Sequence, residues 1–255
     1  MWLFRTGRTR AQREAELQRE PTPSAPAAEP RRDPFEELRV GFTAAVSHEL
    51  RTPLARLLAL VESAALPGGD PRAALERVRA EVEQMTELVD DVLFLSELET
   101  GREVVSLGST RAAPVLGEVV EELRDRAERA GVRFETEVED DSIELPLRAR
   151  MLRTIVENLA ENALRHAGEG AIAVLALRRD DGEPVLEVRD DGVGVSAADL
   201  PRLFERFYRA DRARATRGTG LGLAIVKHVV EAAGGTVEAE EGLGRGLAVR
   251  CRFPA

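Results

Sequence analysis

Lysine is nearly absent from this chain: Lys227 is the only one among 36 basic residues. A P-loop site needs a lysine directly after its glycine run, and a Ser/Thr-type kinase needs a strand lysine on the phosphates. Neither arrangement is present. Arginine is the default cation, so single arginines carry little functional weight. Cysteine is equally scarce. Cys251 alone permits neither an internal disulfide nor a cysteine-rich zinc site, and no other metal cluster is legible. A reducing, cytoplasmic compartment fits. No stretch approaches the roughly 18–20 apolar residues of a membrane helix. The opening Met1-Trp2-Leu3-Phe4, followed by Arg5, Arg8 and Arg10, is too short for a signal-peptide core. It reads as a disordered start, with the inner stub of a lost membrane helix as the alternative; membrane association would need a segment or partner not seen here. Positive charge is in deficit, 36 basic against 46 acidic residues for a net charge of -10. That balance argues against non-specific nucleic-acid binding.

The 255 residues, 43% hydrophobic and 32% charged, suit two modest domains. With only 4% aromatics, Leu, Val and Ala must fill the core. Residues 1–34 are charged and then rich in Pro and Ala, and read as tail or linker. From residue 35 apolar positions recur at spacings of three and four. One stripe is Phe35, Leu38, Phe42 and Ala45; a second is Val46, Leu50, Pro53, Leu57 and Leu60. After a turn signal at residues 66–71, Leu75, Val78, Val82, Met85, Val89 and Val92 form a heptad seam. One helical hairpin cannot bury seams on both faces, whereas two can in a four-helix bundle. A homodimer through residues 35–99 is therefore expected, with a hairpin docked on the rest of its own chain as the alternative. From residue 103 helical segments (113–130, 147–166, 221–233) mix with β-rich ones (132–138, 171–177, 184–190, 236–253). The fold class is α+β: a helical hairpin over 35–102, then an α/β sandwich over 103–255.

On the first helix lies Ser47-His48-Glu49-Leu-Arg-Thr52-Pro53-Leu54. A carboxylate that holds Nδ1–H of an imidazole leaves Nε2 as nucleophile and stabilises charge developing on the ring. Thr52 is one turn on, on the same face as His48. Pro53 removes a backbone hydrogen bond, so a bend near Glu49 is expected. Four segments follow. In Asn158-Leu-Ala-Glu-Asn162-Ala-Leu-Arg165-His166 two amides share one helix face. Asp190-Asp-Gly192-Val-Gly194 follows a β-rich run, its glycines allowing close backbone approach. Leu203-Phe204-Glu-Arg-Phe207-Tyr208-Arg209 is an aromatic cluster. Gly218-Thr219-Gly220-Leu221-Gly222 opens a helix, offering N–H groups and a helix dipole to phosphate. Taken singly, each has an ordinary reading: surface amides, an acidic turn, hydrophobic packing, a glycine-rich turn.

In this order the five strings resemble the motifs of bacterial sensor histidine kinases, and the resemblance covers about residues 35–253. It implies a gyrase/heat-shock-chaperone/histidine-kinase type of ATP-binding fold. It implies that His48 is the phosphorylated residue, Glu49 the assisting base, and Thr52 the residue positioning water in a reverse phosphatase reaction. ATP and Mg²⁺ would bind the second domain. Asn162 would ligate the metal, and Asn158 and Arg165 would hold phosphates beside His166. Asp190 would accept from the adenine amino group, with Gly192 and Gly194 behind it. Phe204, Phe207 and Tyr208 would open the lid. Arg212, Arg214 and Arg217 are candidate lid contacts, and Gly218, Thr219, Gly220, Leu221 and Gly222 would form the phosphate loop. The implied partner is a response-regulator receiver domain. The pattern departs from the family in a short lid, in Arg217 at a usual glycine, and in a terminal Gly242-Leu-Gly244-Arg-Gly246 without Ser or Thr. The same fold serves water-activating ATPases with glutamate at the place of Asn158. Those relatives lack the phosphoacceptor helix. A non-enzymatic module docking through the bundle is the alternative from another class.

Overall fold

The three-and-four spacing does form helices. In the computed structural model, residues 34–66, 70–100, 108–210, 218–242 and 244–255 are described, with side chains of the first helix from Ala45 onward. The chain divides into two compact units, Met1–Ala44 and Ala45–Ala255. The tail, the stripe positions Phe35, Leu38 and Phe42, the centre of the 66–71 turn and the lid arginines Arg212, Arg214 and Arg217 lie outside the described residues or side chains.

Helix α1 spans Pro34–Ala65 and runs through Pro53. Helix α2 spans Pro71–Glu99 and starts on Asp70, whose carboxylate accepts from the N–H groups of Arg72 and Ala73 at 3.0 and 3.1 Å. Pro71 then occupies a position where a missing N–H costs nothing. The second stripe of α1 is the inward one: Pro53 is buried and Val46, Leu50, Leu57 and Leu60 are half-buried. The expected seam of α2 divides. Val78, Met85 and Val92 are half-buried, while Leu75, Val82 and Val89 are exposed. Leu88, Leu95 and Leu98, which the heptad reading omits, are the buried positions instead.

The remainder is a two-layer α/β arrangement. A five-stranded sheet has the order β2-β4-β5-β7-β6, with β2 Arg133–Val138, β4 Ile172–Asp180, β5 Glu183–Asp190, β6 Thr236–Glu241 and β7 Leu247–Arg252. The β2–β4 pair is parallel and the other three pairs are antiparallel. A separate two-stranded ladder joins β1 Thr110–Arg111 to β3 Glu144–Leu145. Helices α3 Ala112–Ala130, α4 Ala149–His166 and α5 Gly222–Ala232 pack on the sheet. Their buried stripes, such as Leu116, Val119 and Leu123 on α3 or Leu152, Ile155 and Leu159 on α4, meet Leu175, Leu177, Leu186 and Cys251, all fully buried. Strand alternation sends Ala176, Glu187 and Arg250 to the opposite face.

Two elements differ from expectation. Residues 236–253 form a hairpin, because Gly242 donates its N–H to the Gly246 carbonyl at 2.8 Å and turns the chain. The β1–β3 ladder has two residues per strand, too short to leave a period-two signal.

Candidate functional site

Helix α4 places Asn158, Asn162, Arg165 and His166 along one wall of a cavity of about 490 Å³, a volume within the small-ligand range. The glycine run forms the facing wall. Helix α5 begins at Gly222 with no side-chain cap, so its first N–H groups have no intrahelical partner. Gly222 also sits under Asn158: an added Cβ would lie 2.5 Å from the Asn158 Oδ1 atom. The Asn158 amide nitrogen donates to the Thr154 carbonyl at 2.9 Å, which fixes that oxygen toward α5. Asn162 is half-buried on the same wall, and no described residue hydrogen-bonds its side chain. An amide oxygen in that position suits a hard cation.

Two more predicted segments close the cavity. Gly194 and Tyr208 line it. Gly194 adopts φ +66°, and a Cβ there would stand 1.5 Å from the Arg245 carbonyl oxygen; this position therefore admits only glycine. Phe207 lies in the left-handed region at φ 61°, a conformation that costs a bulky residue energy. Its N–H donates to the Gly220 carbonyl at 2.9 Å, which ties the start of the lid segment to the phosphate loop. Tyr208 donates its hydroxyl to Asp199, and the Arg202 guanidinium covers its ring at 4.1 Å.

Asp190, Gly192, Phe204, Phe207 and Leu221 stand behind the cavity wall rather than on it. Asp190 is buried and accepts from the N–H groups of Gly192 at 2.9 Å and Leu247 at 3.4 Å. Burial pushes its carboxyl up, against those two donors. Both hydrogen bonds fall on Oδ1, and Oδ2 has no partner among the described residues. Burial also pushes the His166 imidazole down, with Arg165 and Arg209 adding to the effect; a neutral ring is favoured there. Arg165 is already paired, with Glu161 at 2.6 Å and Glu87 of α2 at 3.5 Å. Glu87, Asp91 and Leu247 are lining residues outside the strings, and Glu161 and Arg209 lie inside them without an assigned role. Glu87 and Asp91 belong to the hairpin, and no local pattern could assign them here.

On α1, His48 is exposed and its Nδ1 faces Glu49 Oε1 at 3.8 Å. That is an ion-pair distance and too long for a hydrogen bond. The imidazole edge bearing Nε2 is thus the one not engaged by Glu49. Thr52 is exposed one turn further. Neither lines the cavity.

Residues 38–101 match the His Kinase A phosphoacceptor domain model. Residues 147–255 match the model of the histidine kinase-, DNA gyrase B- and HSP90-like ATPases. The probable sensor histidine kinase TcrY of Mycobacterium tuberculosis is 37% identical over 203 residues, covering 77% of this chain and 42% of that protein. The chain spans about half the length of the curated relatives it matches. Among solved structures, full-length ShkA in complex with AMPPNP superposes with TM-score 0.60 at 29% identity, over 83% of this chain and 45% of that one. Histidine kinase ThkA in complex with the response regulator TrrA shares the fold, with TM-score 0.70 at 18% identity over 86% and 63% of the two chains.

Proposed function

This chain belongs to the sensor histidine kinases of two-component systems, and on that premise we propose that it transfers the γ-phosphoryl group of ATP to its own His48 and then to an aspartate of a response-regulator receiver domain. Residues 35–102 act as the phosphoacceptor and dimerisation hairpin, and residues 103–255 as the ATP-binding domain. The observation that carries this reading is the convergence of Asn158, Asn162, Arg165, Thr219 and the open N-terminus of α5 on one cavity, in a chain that also presents an exposed His48 beside a carboxylate.

The chemistry is in-line displacement. His48 Nε2 attacks the γ-phosphorus, the bond to the β-bridging oxygen breaks, and ADP leaves with the electron pair. Glu49 stabilises the imidazolium through Nδ1–H and takes up the ring proton, leaving a neutral ring that carries the anionic phosphoryl group on Nε2. From behind the cavity wall Asp190 would take the adenine amino group through Oδ2, while the α5 N–H groups, Thr219 and Arg165 face the phosphates. Asn162 would hold Mg²⁺, which neutralises charge on the phosphates. Positioning and charge neutralisation carry most of the rate, as in other phosphoryl transfers. The ATP assignment is supported by the AMPPNP-bound relative and the regulator assignment by the ThkA fold neighbour, whose structure is of a complex with the response regulator TrrA. Among the described residues no helix is long and apolar enough to cross a membrane.

The deciding experiment incubates the purified chain with γ-labelled ATP and Mg²⁺, then treats it with acid and with alkali. Acid-labile, alkali-stable label that disappears in His48→Ala is the expected result. ATP binding without such label would overturn the kinase assignment. Thr52→Ala is expected to keep the label while slowing dephosphorylation of the partner.

A further inference from the structure

Two donors that the ATP reading assigns to phosphates are engaged by carboxylates of the hairpin. Thr219 donates its hydroxyl to Asp91 Oδ2 at 2.8 Å, and Arg165 Nη2 stands 3.5 Å from Glu87 Oε2. Glu87 and Asp91 are four apart on α2, so one helix face delivers both. Packing holds that face in place: Leu88, Leu95 and Leu98 are buried, and the Arg150 guanidinium lies 5.7 Å above the Phe94 ring. Both acids line the same cavity as Asn162.

We infer that the phosphate end of this cavity is a shared binding surface, taken by Asp91 and Glu87 of α2 in the docked state and by the nucleotide triphosphate in the active one. The inference rests on the ATP reading of the site. A carboxylate oxygen offers the same acceptor to a hydroxyl or guanidinium as a phosphate oxygen does, and the Thr219 hydroxyl, with one hydrogen to give, cannot serve both at once. A triphosphate entering here would also face Glu87, Asp91 and Glu161 as like charges. Nucleotide binding therefore expels the α2 face, and α2 docking lowers nucleotide affinity by the same factor. Burial holds the Asp91 carboxyl above its ordinary range despite the Thr219 hydrogen bond, so docking leaves that group incompletely compensated. The consequence reaches the phosphoacceptor. Release of α2 frees the ATP-binding domain from its own hairpin, which is the motion needed to bring the γ-phosphate to His48.

The test compares equilibrium binding of Mg·ATP and of adenosine, which lacks phosphates, to the full chain and to Asp91→Ala and Glu87→Gln. Removing the Asp91 acceptor is expected to tighten ATP binding about tenfold, with adenosine unchanged within about twofold. Glu87→Gln sits at an exposed position that packing does not depend on, and it is expected to shift ATP affinity in the same direction by less. Equal or weaker ATP binding in both variants, with adenosine still bound, overturns the shared surface while leaving the ATP site standing. Equal tightening for ATP and adenosine also overturns it, because the gain would not track phosphate. A parent chain that binds neither ligand removes the ATP reading, and this inference with it.

Discussion

Glu187 shows how a single side chain can be decided by the sheet around it. It is 4% exposed, and its carboxylate is shared by Arg250 at 2.7 Å and by Arg178 and Arg189 at 3.0 Å each. Burial alone would raise its pKa. The three guanidiniums outweigh that, and the carboxyl ends below its ordinary value. Glu187→Gln leaves three partly buried cations short of an acceptor and is expected to cost about 2 kcal/mol of stability at neutral pH. A depressed carboxyl stabilises the fold above its unfolded pKa and loses that contribution as pH falls through the folded value. The gap between parent and variant in urea unfolding should thus be full at pH 7 and close progressively below about pH 4. A gap that persists in acid would mean that packing rather than charge holds the residue. None of this was legible in the sequence, because it depends on strand register across β4, β5 and β7. His48 beside Glu49 and Asn158 with Asn162 were legible as local strings, whereas the cavity that Asn162 lines and the burial that keeps Asp190 off its wall depend on tertiary packing.

At the scale of elements, periodicity placed the ends of α1, α3, α4 and α5 within two residues and missed what depends on pairing. The β6–β7 reversal and the β1–β3 ladder carry no distinctive spacing. The α2 seam looked uniform, yet one set of its positions turns inward and the other stays exposed, because Leu88 and Leu95 rather than Val89 face the folded domain. The start of α2 is the clearest local signal. Asp70 satisfies two otherwise unpaired N–H groups, and Pro71 follows it. Asp70→Ala should cost about 1 kcal/mol, read as a lower thermal midpoint of the helical signal. Asp70→Asn should restore most of it, since an amide oxygen caps nearly as well. Failure of Asn to rescue would indicate that charge at the turn, not capping, matters.

For the whole molecule, the decisive feature is the apolar surface that one hairpin leaves over. Leu54, Leu58 and Val61 on α1 and Leu75, Val82, Val89 and Leu93 on α2 are 42–68% exposed, at spacings that keep each set on one side of its helix. Burying a leucine or valine contributes about 1.5–3 kcal/mol, and a second hairpin supplies matching surface for all of them at once. The expected state is thus a four-helix dimer through residues 35–99, with the ATP cavity outside the interface. Leu58→Glu combined with Val82→Glu buries two charges per chain in that interface and should convert the protein from the mass of two chains to that of one at micromolar concentration. ATP affinity should hold within about twofold, because neither residue lines the cavity. A double variant that keeps the dimeric mass would place the interface elsewhere. A parent that is monomeric at the same concentration would mean that the exposed stripe serves another partner. If the mass halves and ATP affinity holds, assembly and nucleotide binding reside in separable parts of the chain, and His48 labelling in that monomer then tests whether the phosphoryl group needs a second subunit to arrive.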